Sequence, residues 1–374
     1  MSEVAGNARK SITIGDLPNC ILHTILEFVP IQDAAKTSVL SKKWMNICGG
    51  SASSIISKIL LQHTGDIMGL HLISSTCKLA QSDVDQCIIF VSEHGIQKLT
   101  LDMANDENYL LPDKIFACAT LTHLKLSRCF FKLPDGTQFP NLISLQLEHS
   151  KIAGHRGSEN NLNLPMLETL ELRFCVDVDS VYLVCPKLDN MSIVSSYTVT
   201  FRCFNVNPIF ARIKHLCLNG TSLENLGSLS VPDMLDVSLN LQSLRICDFK
   251  ISIKRIACAL CLLRNSPNLV ELDIDEVVKV NETICYADEL LDYLSEAVNE
   301  VSKALRMIRT VRLRKFKGTS TEMYLIKVLL AHSPKLERMI IEQYKRSNVT
   351  YSYQHLNELL SYCRASPNAE IKYT

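Results

Sequence analysis

Neither charge is in excess in this sequence: Lys and Arg together number 39, and so do Asp and Glu, leaving no net charge. A nucleic-acid binder needs a basic surplus to neutralise phosphates, and a polybasic membrane tether needs a basic cluster, so the balance argues against both. Long apolar runs are missing as well. Ile256–Leu263 is among the longest and falls well short of the ~20 residues that span a bilayer. Met1–Lys10 carries no apolar stretch behind a positive end, so it does not read as a signal peptide. No phosphate cradle of the G-x-x-x-x-G-K-[ST] or G-x-G-x-x-G kind occurs, and neither G-x-S-x-G nor H-E-x-x-H is present. Histidines such as His123 and His215 sit beside aliphatic residues without Asp or Glu at ligand spacing. No catalytic residue, cofactor or metal site is therefore expected.

Cysteine is plentiful and odd in number, at 15. Without an export signal these read as reduced thiols in a cytoplasmic and/or nuclear protein, most of them small buried apolar residues. The one CxxC, Cys258–Cys261, lies inside the apolar run IACALCLL with no second pair, which places it in a core rather than at a metal. With 374 residues and 47% hydrophobic content, the chain is a folded one of two or three domains.

Residues 12–50 form the first unit. Asp16 can cap a helix whose first turn holds Pro18, and Ile21, Leu22, Ile25, Leu26 and Val29 follow at helical spacing until Pro30 stops it. Asp33 can start a second helix, Ala34–Leu40, and a third carries Ile47 and the single tryptophan, Trp44. About forty residues in three short helices bury too little surface to stand alone, and no metal-ligand spacing is present, so a partner is implied.

These residues resemble the F-box family: Leu17-Pro18, Ile21-Leu22, Ile25-Leu26, Pro30, Ser38-Val39-Leu40-Ser41 and Lys43-Trp44 meet its pattern in order. The resemblance implies docking on the Skp adaptor of a cullin–RING ubiquitin ligase through Leu17, Pro18, Ile21, Leu22, Ile25, Leu26, Val29, Pro30, Val39, Leu40 and Trp44. The alternative is an amphipathic cap that buries the same residues against the rest of the chain.

Beyond it an aliphatic triad, L-x-x-L-x-L, recurs from Ile96/Leu99/Leu101 to Leu336/Met339/Ile341. Ten are found, but in so aliphatic a chain chance gives roughly ten. Two other signals decide. Proline stands two places before the triad at Pro140, Pro165, Pro186, Pro267 and Pro334, where chance predicts roughly a third of one case. Successive triads also start 25, 21, 25, 21, 25, 28, 28, 39 and 28 residues apart, mostly in or near the range of leucine-rich repeats. Cys129 and Cys175 fall at the N/C position of that repeat, three residues after its last leucine.

The expected fold is α/β: the three-helix module, then a solenoid of short parallel strands with return segments that include helices. Ser82 is expected to cap Asp83–Glu93, closed by Gly95; Ile253–Arg264 and Glu322–His332 read as further helices, and Asp288–Arg306 as an enlarged one. Segments 84–103, 111–150 and 316–342 resemble plant F-box/LRR-repeat proteins, the last of them the FBD element. The organisation is then a flexible 1–11, an F-box at 12–50, a linker with cap helices at 51–95, repeats at 96–300 and FBD-like repeats with a cap at 301–374.

One surface constellation stands out. Glu271, Asp273 and Asp275 share the open side of one strand, and Arg312 and Arg314 share the next. With strands ~4.8 Å apart these rows form either a solvated ion-pair ladder, the plainer reading, or a bipolar client-binding patch. The expected function is substrate recognition for a Skp–cullin–F-box ligase, with an unknown client, no nucleic acid and no membrane. The alternatives are a scaffold outside ubiquitin transfer and a ligand-gated receptor of the same architecture.

Overall fold

The computed structural model describes residues 66–74, 80–103, 109–132, 139–153, 161–176, 182–195, 211–228, 238–250, 253–278, 302–303, 305–344 and 349–374. The 12–50 module and most of the 288–306 stripe lie outside them.

The strands, in chain order, are β1 (Gly69–Ile73), β2 (Lys98–Asp102), β3 (Tyr109–Leu110), β4 (His123–Ser127), β5 (Cys129–Lys132) and β6 (Ser144–Glu148). Next come β7 (Lys151–Ala153), β8 (Asn161–Asn163), β9 (Thr169–Arg173), β10 (Tyr182–Val184), β11 (Asn190–Val194) and β12 (His215–Asn219). The series ends with β13 (Ser243–Lys250), β14 (Glu271–Val278), β15 (Thr310–Phe316), β16 (Arg338–Gln343) and β17 (Glu370–Tyr373). Twelve of them form one parallel sheet in the order β1-β2-β4-β6-β9-β11-β12-β13-β14-β15-β16-β17.

Alternation explains the strands. In β2 the Leu99 and Leu101 side chains face inward and are buried, while Lys98 faces out and Thr100 and Asp102 stay partly exposed. Register then stacks like on like: Leu99, Leu124, Leu145, Leu170 and Met191 are successive partners, and Leu101, Leu126, Leu147, Leu172 and Ile193 are the next row. The first aliphatic of each triad, from Ile96 to Leu336, is buried beside them, so the ten triads build a single hydrophobic column. Each repeat alone would expose one flank of its leucines; the neighbour covers it. The sheet starts earlier than the triads do, because β1 lies inside the segment expected to be linker and cap helices.

The prolines have a local cause. Leu188 N–H donates to Cys185 O, Leu269 to Ser266 O and Leu336 to Ser333 O, at 3.3, 3.1 and 3.2 Å. Pro186, Pro267 and Pro334 occupy the second position of these four-residue turns, where the ring presets φ. Past the turn, one carbonyl of each repeat accepts two N–H groups of the next, as Gln97 O does from Thr122 and His123 and Val270 O from Arg309 and Thr310.

Five strands, β4, β6, β9, β13 and β15, also leave the sheet by a shared device. Arg128, His149, Phe174, Asp248 and Lys315 all stand two residues after the last aliphatic and all have φ between 45° and 56°. This left-handed step turns the next residue inward: Cys129, Ser150, Cys175, Phe249 and Phe316 are buried there. Cys129 donates its S–H to Ser127 O, Cys175 donates to Leu147 O, and the Ser150 hydroxyl donates to Glu148 O, so each inward polar group finds a backbone acceptor; Ser127 O and Glu148 O also accept the N–H groups of Met103 and Arg128. The N/C position is structural, as expected for the two cysteines, and burial pushes the Cys175 thiol up to about 11.

Return segments differ along the array. Early ones form small parallel sheets, β3-β5-β7 and β8-β10, and a 3₁₀ turn at Asp113–Ala117 that buries Ile115 and Phe116. Helices serve the rest: α1 (Gln81–Glu93), α2 (Gly220–Ser228), α3 (Ile253–Arg264), α4 (Ser320–His332) and α5 (Val349–Ser361). In α1 the expected stripe Val84, Cys87, Ile88 and Val91 is buried, and Gly95 follows at φ +74. Ser82 is no cap, however. The helix starts at Gln81, with Ala80 at the cap position and no side-chain hydrogen bond there. Cys258 and Cys261 are buried on α3, and burial raises both thiols.

Candidate functional site

The side chains between the inward leucines form the open face of the twelve-stranded sheet. One row across it runs Glu171, Ser192, Cys217, Arg245, Asp273 and Arg312, each in register with the next. Such a face is a continuous platform whose chemistry is set by single residues at fixed intervals.

The acidic and basic rows do meet, but diagonally. Register puts Asp273 opposite Arg312 and Asp275 opposite Arg314. Arg314 nevertheless reaches across to Asp273 in a forked pair, Nη2 to Oδ2 at 2.8 Å and Nε to Oδ1 at 3.1 Å. Arg312 turns the other way, to Glu342 at 3.6 Å, and Lys315 stands 3.5 Å from Asp275. Sequence reasoning missed Arg245, on the strand before, which closes the network on Asp275 at 3.1 Å. The signal was available: Arg245 is the open-face residue of the 241 triad. Glu271 is exposed at the start of β14. All of these charges except Glu271 thus have partners of opposite sign within the sheet, as in a ladder, and each partly exposed pair adds ~0–1 kcal/mol.

West of this network, toward β9, lies an open depression of about 210 Å³, bordered by Glu171, Ser192, His215, Cys217 and Arg245. Ligand pockets usually hold about 300–1,000 Å³ and enclose their guest, so this depression suits a protruding side chain of a partner better than a free small molecule.

One thiol, Cys217, borders it, and a second stands beside that thiol on the next strand. Cys217 on β12 and Cys247 on β13 are both half-buried, and their sulfurs are 3.7 Å apart. A hydrogen bond from Cys247 holds the Cys217 thiol down, to about 7, helped by the Ser192 hydroxyl and the Arg245 and Arg173 guanidiniums against the opposing effect of burial. The same hydrogen bond and burial push Cys247 up. Among the described residues no group of three or more His, Cys, Asp or Glu stands where it could hold a metal.

The adaptor-docking residues read from sequence, Leu17 to Trp44, lie outside the described residues, and there the comparisons with known proteins speak. The F-box domain family matches residues 14–53. The repeat family described as FBD-associated F-box protein At5g56370, LRR repeats, matches 84–205. One chain thus carries an F-box match ahead of a leucine-rich-repeat match, and the second lies along the parallel sheet. It is similar to the Arabidopsis thaliana F-box/FBD/LRR-repeat protein At1g13570, 25% identical over 96% of this chain and 98% of that one. It is also similar to the putative F-box/LRR-repeat protein At3g58920 of the same plant, 27% identical over 42% of this chain and 41% of the relative's own length. F-box/LRR-repeat protein 25, again from Arabidopsis thaliana, is 27% identical over 45% of this chain and 69% of its own.

Proposed function

We propose that the chain is the substrate-recognition subunit of a Skp–cullin–F-box ubiquitin ligase. Residues 17–44 would dock the Skp adaptor, and the open face of the repeat sheet would hold a client protein. The carrying observation is the pairing of an F-box match at 14–53 with a repeat sheet that presents one uninterrupted face. The chain would do no chemistry itself. It would raise the effective concentration of client lysines near the charged ubiquitin-conjugating enzyme, a contribution of proximity. Its place of work would be the cytoplasm and/or the nucleus.

The test is co-purification of cullin with the full chain. Leu17→Ala together with Pro18→Ala should abolish it while the repeats stay folded. A well-folded wild-type chain that ignores the Skp adaptor at micromolar concentration would instead favour a scaffold outside ubiquitin transfer.

Within the same reading, Glu271, Asp273, Asp275, Arg312 and Arg314 are the proposed client contact. Reversing Arg312 and Arg314 to Glu should weaken client capture and leave adaptor binding intact. Unchanged capture would leave these residues as a ladder alone.

A further inference from the structure

We propose that Cys217 and Cys247 form a reversible thiol-oxidation site on the open face, closing to a labile disulfide when a low-molecular-weight disulfide is the oxidant. The pair differs from the chain's other described thiols in placement. Cys87, Cys118, Cys129, Cys175, Cys185, Cys258 and Cys261 are buried, and Cys363 is exposed. Only here among the described residues do two half-buried cysteines stand on adjacent strands with sulfurs 3.7 Å apart.

The surroundings favour attack from Cys217. Oxidation begins with a thiolate, and the anion at this sulfur is held by the Cys247 S–H, by the Ser192 hydroxyl of β11 and by two guanidiniums, Arg245 of β13 and Arg173 of β9. The groups that oppose it are the Glu171 carboxylate at the edge of the same depression and Asp273 and Asp275 of β14, which Arg245 and Arg314 already engage. His215, on the same strand as Cys217, borders the depression from outside.

The chemistry balances in two exchanges. The Cys217 thiolate attacks one sulfur of glutathione disulfide, whose S–S bond breaks and releases one glutathione thiolate, which takes up a proton. Cys247 then gives its proton to solvent, and its sulfur attacks Cys217 Sγ, expelling the second glutathione as a thiolate that takes up a proton in turn. Two protein thiols are oxidised, and one small disulfide is reduced to two thiols.

Backbone geometry makes the product labile. Register sets Arg245 opposite Cys217 and Asn219 opposite Cys247, so the two cysteines are diagonal neighbours. With parallel strands ~4.8 Å apart and a two-residue step of ~6.6 Å, diagonal Cα atoms lie ~8 Å apart, beyond the ~4.4–6.8 Å that a relaxed disulfide spans. Closing the bond therefore pulls β12 and β13 together at this point, and a strained disulfide of this kind is easily reduced. It acts as a switch rather than a staple.

The experiment treats the full-length chain with glutathione disulfide, quenches in acid with an alkylating agent and maps tryptic peptides by mass spectrometry. Cleavage after Lys214, Arg245 and Lys250 puts the two cysteines on separate peptides, 215–245 and 246–250. The expected product joins these two and is reversed by a modest excess of glutathione. Cys247→Ser should trap glutathione on Cys217, and Cys217→Ser should slow modification of Cys247 about tenfold. Reaction at Cys217 no faster than at buried Cys129 or Cys185 would overturn the proposal. So would equal trapping of glutathione in the wild-type and Cys247→Ser chains, which would deny Cys247 its resolving part.

Discussion

Glu322 carries a carboxyl group only 2% exposed, and hydrogen bonds hold both of its oxygens. The backbone N–H groups of Lys317 and Thr319 and the Thr319 hydroxyl all donate to it, and its own N–H donates back to Thr319, a capping box at the start of α4. Glu322→Ala would orphan two backbone donors and should destabilise the chain by about 3 kcal/mol, read as a lower urea midpoint at unchanged slope. Leu145, 1% exposed between Leu124 and Leu170, belongs to the leucine column. Leu145→Ala should cost ~2–5 kcal/mol, measured the same way, because the stacked strands on both sides cannot collapse into the gap. At this scale the sequence was readable where a residue type carries the message, as at the turn prolines or Cys129 and Cys175. It was silent on Ser150, which does the same work as those cysteines, and on the left-handed step, where Arg, His, Phe, Asp and Lys give no glycine signal. The step is imposed by the packing that follows it.

Among the elements, the join between β15, α4 and α5 turns on a single glycine. Gly318 has φ +75, and a Cβ placed there would lie 2.0 Å from His355 Cε1 on α5. Phe316 meets the same His355 edge-on at 6.0 Å and Tyr373 of β17 at 6.2 Å. Gly318→Ala therefore combines backbone strain of about 1–2 kcal/mol with a collision, and should loosen α5 and β17 before the rest of the sheet. Hydrogen exchange should show early loss of protection over 349–374. Adding His355→Ala should restore part of the stability, because the collision goes and the strain stays. Helices were legible through periodicity: α3 has the expected bounds, and α4 begins two residues before the expected Glu322. The small sheets of the return segments were not, since three-residue pieces such as Lys151–Ala153 are too short to show alternation.

At the scale of the whole molecule, the open face mixes charge pairs at one end with a thiol pair near its middle. Raising salt should weaken client capture if the paired rows take part, since half-exposed charges are screened over ~10 Å at 0.1 M. Adaptor binding through the apolar residues proposed at 17–44 should change little; pull-downs at two ionic strengths measure both. The rows were visible in the sequence because each strand reveals its own outward residues. The partners were not, because diagonal pairing depends on which way a long side chain leans across strands 28 or more residues apart. Cys217 and Cys247 escaped notice for the same reason.

The carbonyl that serves two amides of the next strand has a further effect on how the protein can change. Each rung fastens only to the rungs beside it, and nothing in the sheet counts how many there are. Gaining or losing one rung would shift everything beyond it by a single ~4.8 Å step and leave the remaining surface chemistry as it was. Reach is thus adjustable in whole stitches, independently of what any one stitch recognises.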